Sequence, residues 1–128
     1  MAKHHSDRFA TMVDDAKTRI KELSPDEVKE KLDEEGEVVV LDVRKQDEWE
    51  SAHISGAKHL ARAVLERNIE TEYANIDTEL ILYSGSGSVS ALAADSLQKM
   101  GYNNIRSLAG GFQSWLEAGY PIERNDGD

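Results

Sequence analysis

The most informative absence in this 128-residue sequence is cysteine, which does not occur at all. Without a thiol the chain can form no disulfide, no thiolate metal site and no thiol nucleophile. Basic residues are also few, with 15 Lys and Arg against 25 Asp and Glu and a formal net charge of -10. Nucleic acids and anionic membranes are themselves negatively charged, so we expect neither as a partner.

Long apolar runs are missing as well. No stretch approaches the roughly 18 consecutive apolar residues of a membrane span, and the first six residues, MAKHHS, lack the apolar centre of a secretory signal. These features predict no membrane association and a cytoplasmic location.

The length suits one domain with its own core. We predict neither a metal site nor a cofactor.

The sequence does contain an alternation of helical and strand patterns. Apolar residues at three- and four-residue spacing predict a helix near 7–19. The capping signal Ser24-Pro25-Asp26-Glu27 starts a second helix, which runs to about Leu32 and is ended by Gly36. The β-branched run 37–43 is typical of a buried parallel strand. Further strands are predicted at 57–60, 80–83 and 105–108, and further helices at 46–51, from about 63, at 89–100 and at 111–118.

Strands that alternate with helices predict an α/β fold in three layers, a central parallel sheet with helices on both faces. We expect a helical extension over 1–19, one domain over 20–123 and a frayed polar tail over 124–128. In such sheets, ligands bind beyond the carboxyl ends of the strands. The loop that follows 80–83 emerges at that edge, so a ligand site is expected there.

This loop is the most distinctive segment of the chain. It comprises Ser84, Gly85, Ser86, Gly87, Ser88, Val89 and Ser90, and it opens a helix. In a turn of this kind, successive N–H groups converge on one point, and the free donors and positive dipole end of the following helix point the same way. The pattern predicts a cradle for negative charge with the Ser84 hydroxyl at its mouth.

Several motifs, in this order, resemble those of the rhodanese-like domain family. They are Leu41-Asp42-Val43-Arg44, Glu48-Trp49, Ala52-His53-Ile54-Ser55-Gly56-Ala57, the strand, loop and helix around Ser84, Leu108-Ala109-Gly110-Gly111-Phe112-Gln113-Ser114-Trp115, and Gly119-Tyr120-Pro121-Ile122. The resemblance covers roughly 20–122. It implies the family's three-layer fold and a loop whose cysteine accepts and donates sulfane sulfur as a persulfide. The position that matches this cysteine is Ser84.

The chain departs from the family pattern at two further positions. Val89 stands where these loops commonly carry an arginine, and Ser55 where a proline is usual. A hydroxyl does not form a persulfide as a soft thiolate does, so we expect sulfur transfer to be absent. Because the whole loop is small and uncharged, we interpret the pocket as reshaped for a neutral substrate. The combined changes raise the hypothesis of an engineered site.

Three functions remain open at this point. Ser84 can be a silent position in a domain that binds a protein partner or regulates. It can instead be a nucleophile in a ready-made oxyanion hole, which gives serine-hydrolase-like acyl transfer on activated esters. The third possibility is that the loop binds a small anion, phosphate or sulfate.

The hydrolase hypothesis requires a base and a group that orients it. His59 falls near the carboxyl end of the strand 57–60 and is our candidate base, while His53 is expected to be structural. Asp42 and Glu66 are candidates for the orienting residue, although Asp42 can equally form an ion pair with Arg44. Arg62 follows the same strand as His59 and is expected to help bind acidic substrates.

Overall fold

The structure, a computed structural model, describes residues 7–34 and 36–125. The helices are α1 (Asp7–Lys17), α2 (Pro25–Asp33), α3 (Gln46–Ser51), α4 (Leu65–Glu72), α5 (Ser88–Lys99) and α6 (Gly111–Glu117), and a 3-10 turn over Arg62–Val64 precedes α4. The strands are β1 (Lys21–Leu23), β2 (Val39–Asp42), β3 (Ala52–Ile54), β4 (Lys58–His59), β5 (Leu80–Tyr83), β6 (Ile105–Leu108) and β7 (Ile122–Arg124).

Five of these strands form the central sheet, in the order β1-β6-β5-β2-β4. All the neighbouring pairs are parallel, so the carboxyl ends of the strands lie along one edge. The register places Asp42 of β2 between Tyr83 of β5 and His59 of β4. The predicted parallel α/β sheet is therefore confirmed, and the loop that follows β5 leaves the middle of the sheet.

Both faces of the sheet are covered, which explains why its central strand has no polar side. Leu80 and Leu82 of β5 belong to one apolar cluster, together with residues of α4 and α5. Ile81 and Tyr83 belong to a second cluster on the opposite face, together with Val28 of α2 and Trp115 of α6. Alternate side chains of a strand point to opposite faces, so a strand buried on both reads as a continuous apolar run.

The predicted boundaries hold best where the apolar pattern is sharp. The strands at 80–83 and 105–108 and the helix at 46–51 begin and end as expected. The strand expected at 37–43 is shortened to β2, the one at 57–60 is reduced to β4, and the first helix stops at Lys17. The residues just beyond the shortened strands still bond to their neighbours: the N–H groups of Val43 and Leu60 donate to the carbonyl oxygens of Tyr83 and Asp42, each at 3.0 Å.

Three short strands of the structure were not predicted from the sequence pattern. β1 joins the parallel sheet beside β6, whereas β3 and β7 form a separate antiparallel pair. Fraying was expected from 124 onward, but Arg124 pairs with Ala52, and the Asn125 N–H donates to the Ser51 carbonyl oxygen. The sequence pattern does not show this pairing because it joins distant segments; the frayed tail stays a prediction, and residues 126–128 lie outside the described residues.

Two further observations concern the helices: the packing of α1 and the absence of a membrane-spanning helix among the described residues. α1 packs against α5, the helix that the Ser84 loop opens, and buries Val13 and Ala16. Within residues 7–34 and 36–125, no helix has the length and apolar character needed to cross a bilayer.

Candidate functional site

Ser84 lies at the carboxyl end of β5 and is almost fully buried, with 4% of its surface exposed. The chain turns at Gly87, whose φ of 98° lies in the left-handed region, and α5 begins at the next residue. A side chain at Gly87 would also come within 3.1 Å of the Gly110 nitrogen. The turn therefore needs glycine for its backbone conformation and for its close contact with the segment before α6.

The loop N–H groups converge on the oxygen of Ser84 itself. This Oγ accepts hydrogen bonds from the N–H groups of Gly87 at 3.2 Å and Ser90 at 3.1 Å, and it donates to Ser90 Oγ at 3.3 Å. Ser90 Oγ donates in turn to the Gly87 carbonyl oxygen and lies 2.9 Å from Ser107 Oγ. Since the single Ser90 proton is used on Gly87, Ser107 is the donor in that last pair.

This arrangement leaves the Ser84 hydroxyl fully satisfied within the protein. Its two lone pairs accept from backbone amides, and its proton points inward to Ser90. A serine nucleophile must pass its proton to a base. Among the hydrogen bonds of the described residues, none joins Ser84 to an imidazole or a carboxylate. Reaction at this hydroxyl would require a base to take the proton that it now donates to Ser90.

His59, the candidate base, is not brought to Ser84. Its Nε2 lies 2.8 Å from the Arg44 carbonyl oxygen, and its ring stacks on Trp49 with centroids 5.2 Å apart. A carbonyl only accepts, so Nε2 carries the proton. The strand β2 lies between β4 and β5. Neighbouring strands are about 4.8 Å apart, so the backbones that carry the two residues are separated by about 10 Å.

Asp42 lies beside His59 in the sheet, but its carboxylate forms a buried ion pair with Arg44. Its Oδ1 accepts from the Arg44 N–H at 2.8 Å and from Nε at 3.1 Å, and its Oδ2 accepts from Nη2 at 2.9 Å. Burial by itself would lower the pKa of Arg44, but the hydrogen bonds and charge of Asp42 outweigh it and raise that pKa. The guanidinium also lies 4.2 Å from the ring centre of Phe112. Asp42 thus fixes a cation and leaves no triad assembled.

His53, which was expected to be structural, and Glu66, a candidate orienting residue, also have partners of their own. His53 stacks on Trp49 with ring centres 3.5 Å apart, and its Nδ1 lies 2.9 Å from the Trp49 carbonyl oxygen. Glu66 accepts two hydrogen bonds from Arg62 Nη1, at 2.7 and 2.6 Å. Burial would raise the pKa of Glu66, but these bonds outweigh burial and lower it. Both residues serve positions other than the Ser84 hydroxyl.

A cleft of about 340 Å³ opens in front of the loop. Its lining consists of Val43, Arg44, Lys45, Glu48, Arg62, Ser84, Gly85, Ser86 and Val89. Three of these side chains are cationic and one is anionic. The expectation of a pocket for a neutral substrate is therefore corrected: the loop is uncharged, but neighbouring segments supply positive charge.

Sequence reasoning placed Arg62 near the ligand but did not single out Arg44 and Lys45 for this role. A signal was present, because both follow β2, and the carboxyl ends of β2 and β5 lie side by side in a parallel sheet. Within the described residues, no group of three His, Asp or Glu side chains is placed to hold a metal ion. The cleft is lined by the loop backbone, serine hydroxyls, the three cations and Glu48.

The fold and this loop place the protein in a known family. Residues 24–118 match the Rhodanese-like domain, and the chain belongs to that family. It is 35% identical over 104 residues to a thiosulfate sulfurtransferase GlpE of Pseudomonas fluorescens, covering 81% of this chain and 92% of that protein. A GlpE of Coxiella burnetii is 35% identical over 79 residues, covering 62% and 72%.

Solved structures agree with this assignment. A Rhodopseudomonas palustris protein, described as of unknown function and a possible tyrosine phosphatase, superimposes with a TM-score of 0.81 at 29% identity, covering 96% of this chain and 99% of that one. The polysulfide-sulfur transferase homodimer of Wolinella succinogenes gives a TM-score of 0.80 at 26% identity, covering 94% and 90%. The family resemblance predicted from the motifs is confirmed, and this member of the family lacks cysteine.

Proposed function

We propose that this chain is a rhodanese-like domain that binds a small anion in the cleft beside Ser84 and does not transfer sulfur. The observation that carries the proposal is the meeting of Arg44, Lys45 and Arg62 in a cleft whose floor is the amide-rich loop. The whole chain has a net charge of -10, yet three cations meet one anionic lining residue, Glu48, in this cleft. An anion gains there from Lys45, which has no ion-pair partner among the described residues, from the N–H groups of the two arginines and from the positive end of α5.

The three cations differ in how firmly they are held. Arg44 is fixed by Asp42 and by the Ala52 carbonyl oxygen, which accepts from its Nη2 at 2.6 Å. Arg62 is tied to Glu66 through Nη1. Lys45 takes part in no ion pair among the described residues. Two of the cations are therefore preorganised, which lowers the entropy cost of binding, and the third is free to adapt.

The related proteins support this choice of ligand class. The curated relatives are named thiosulfate sulfurtransferases, and thiosulfate is a small dianion. A cationic cleft suits such a ligand even where the acceptor thiol is replaced. Because an alcohol does not form a stable persulfide, the ligand would be bound and released unchanged at Ser84.

Calorimetric titration with thiosulfate, sulfate, phosphate and acetate tests the proposal. We expect saturable binding that Lys45→Ala and Arg62→Ala each weaken by about tenfold, because each removes a charge-assisted hydrogen bond. Lys58→Ala and Arg67→Ala are matched controls, since both side chains are exposed and lie outside the cleft lining. Absence of binding by all four anions, or equal losses in the controls, would contradict it.

A second function, acyl transfer by Ser84, has one observation in its favour. The N–H groups of Gly87 and Ser90 already donate to Ser84 Oγ, so an alkoxide at this position would be stabilised. A serine-directed fluorophosphonate probe tests this function. Labelling that disappears in Ser84→Ala would establish a reactive serine, whereas no labelling, or equal labelling of both proteins, would exclude it. A protein partner and a cytoplasmic location stay predictions.

A further inference from the structure

A shallow groove of about 210 Å³ continues from the cleft along α5. Its lining consists of Met12, Asp15, Ala16, Arg19, Arg62, Leu92, Asp95, Ser96 and Lys99. Arg62 lines both the cleft and the groove, so the two cavities share a wall. From here on, the α5 groove means this second cavity.

One face of α5 forms the path between the two cavities. Val89 lines the cleft, while Leu92, Ser96 and Lys99 line the α5 groove. Residues spaced by three and four lie on the same side of a helix. Ten residues separate Val89 from Lys99, which at 1.5 Å per residue gives a path of about 15 Å.

Exposed apolar side chains mark this path. Four large hydrophobic side chains are exposed in the described part of the chain: Met12, Ile76, Val89 and Leu116. Met12, at 58% exposed, lies in the α5 groove, and Val89, at 37%, lies at the mouth of the cleft. Leu92 lies one turn of α5 beyond Val89 and is partly buried. A ligand on this path would therefore cover apolar surface that the folded chain leaves exposed.

The charged residues of the α5 groove are already paired with one another. Arg19 Nη2 lies 2.8 Å from Asp15 Oδ2 and 2.9 Å from Asp95 Oδ2, and Lys99 Nζ lies 3.5 Å from the same Asp95 oxygen. Arg62 Nη2 lies 3.5 Å from Ser96 Oγ. Because these charges compensate one another, the groove needs no further charge from a ligand; the cleft differs in holding Lys45, which has no ion-pair partner among the described residues.

We infer that the ligand is an amphiphilic acid, with its anionic head in the cleft and an apolar chain along α5 past Val89, Leu92 and Met12. This inference rests on the proposed function, because it takes the anion-binding cleft as the site of the head group. The two cavities together have the size of an ordinary small-ligand site, which spans roughly 300–1,000 Å³. The cleft binds the anionic head group of the ligand, and the exposed hydrophobic residues of the path bind its apolar chain.

Titration with acetate, hexanoate and decanoate, each kept below its micelle-forming concentration, tests the inference. We expect binding to tighten by about fourfold for each methylene group that is buried on α5. Met12→Gln should weaken decanoate binding several-fold and leave acetate unchanged, and Val89→Thr, which also touches the cleft, should weaken decanoate binding more than acetate binding. Ile76→Thr and Leu116→Gln are matched controls, because they alter the two exposed hydrophobic residues outside the cavities. Thermal unfolding checks that every variant is folded.

The outcomes separate the two proposals. If the three acids bind equally well, the apolar path is not used; the inference is then overturned while the proposed function stands. If decanoate binds more tightly but the α5 variants do not weaken it, the chain lies elsewhere and the inference also fails. If neither these acids nor the small oxyanions bind, the proposed function fails and the inference fails with it.

Discussion

The Ser84 loop and the stack of Trp49 between His53 and His59 lie at the same edge of the sheet but are built for different tasks. In the loop, backbone amides and hydroxyls are turned toward one oxygen. In the stack, both imidazoles are packed on an indole and bonded to main-chain carbonyl oxygens. The Ser84 loop gathers hydrogen-bond donors around one oxygen, whereas in the Trp49 stack the two imidazoles stabilise the fold through packing and hydrogen bonds.

This difference shows that a serine and a histidine at the same edge of a sheet are not thereby placed as nucleophile and base. Catalysis by serine needs the base within hydrogen-bond reach of the hydroxyl. Here His59 is held by the Arg44 carbonyl, and one strand intervenes between its own strand and that of Ser84. The site has the amide donors that would stabilise a negative oxygen, whereas the imidazole of His59 is bonded elsewhere.

The largest expected effect comes from restoring a thiol to the cradle. In Ser84→Cys, the N–H groups of Gly87 and Ser90 and the positive end of α5 should stabilise the thiolate, so its pKa should fall below the ordinary value of about 8.5. The pH dependence of alkylation by iodoacetamide measures this pKa. Ser88→Cys is a control at the start of the same helix. An ordinary pKa at position 84 would mean that the amides do not act on it.

The second-largest effect is expected from a substitution at the start of α6 that pushes the Ser84 loop away, and it concerns the free energy of unfolding. The N–H of Phe112 donates to the Ser84 carbonyl oxygen at 2.8 Å, and a Cβ at Gly111 would lie 2.4 Å from that oxygen. Gly111→Ala should therefore lower the free energy of unfolding by about 3 kcal/mol, from overpacking and from the positive φ. Denaturant unfolding measures the change.

Gly119→Ala is the matched control for that substitution. Gly119 also has a positive φ, of 77°, but nothing lies within 4 Å of the position its Cβ would take. We expect a loss of about 1 kcal/mol from the backbone conformation alone. Equal losses at the two positions would show that the contact between α6 and the Ser84 loop does not constrain the loop.

A smaller and purely structural effect is expected in the stack. His59→Ala removes a ring from Trp49 and a hydrogen bond to the Arg44 carbonyl, so it should lower the free energy of unfolding by about 1–2 kcal/mol. The affinity for small anions, measured by calorimetry, should stay the same. If Ser84 were labelled by a fluorophosphonate and His59→Ala abolished this labelling, His59 would act on Ser84, and the conclusion that the stack and the loop work independently would be wrong.

The smallest effect is expected at the Arg62–Glu66 ion pair on the wall of the cleft. The pKa of Glu66 is lowered in the folded state, so its stabilising contribution is present above the unfolded carboxyl pKa and is lost as pH falls through the folded value. Both side chains are more than one third exposed, which limits the pair to a few tenths of a kcal/mol. Unfolding of Glu66→Gln and wild type should differ at pH 7 and converge at acid pH.

The parts of this protein that could be predicted from sequence are those with a local signature. The apolar run 80–83 identified β5, and the glycine and serine residues after it identified the turn into α5. The contributions of Arg44 and Lys45 to the cleft were missed, because they depend on the pairing of β2 with β5. His59 was chosen as the base because the carboxyl ends of all parallel strands lie at one edge of the sheet. How far it lies from Ser84 along that edge depends on the strand order, which the sequence pattern does not show.

The sequence by itself determined the three-layer α/β fold, the amide cradle and the loss of the thiol, because strand and helix periodicity, tight-turn chemistry and residue type are properties of short segments. Tertiary structure alone decided which side chains share the site. Strand order separated His59 from Ser84, and neighbouring strand ends brought three cations to an uncharged loop. Distances between segments that are far apart in the chain are set by their packing, which depends on all of these segments together and cannot be predicted from any one of them.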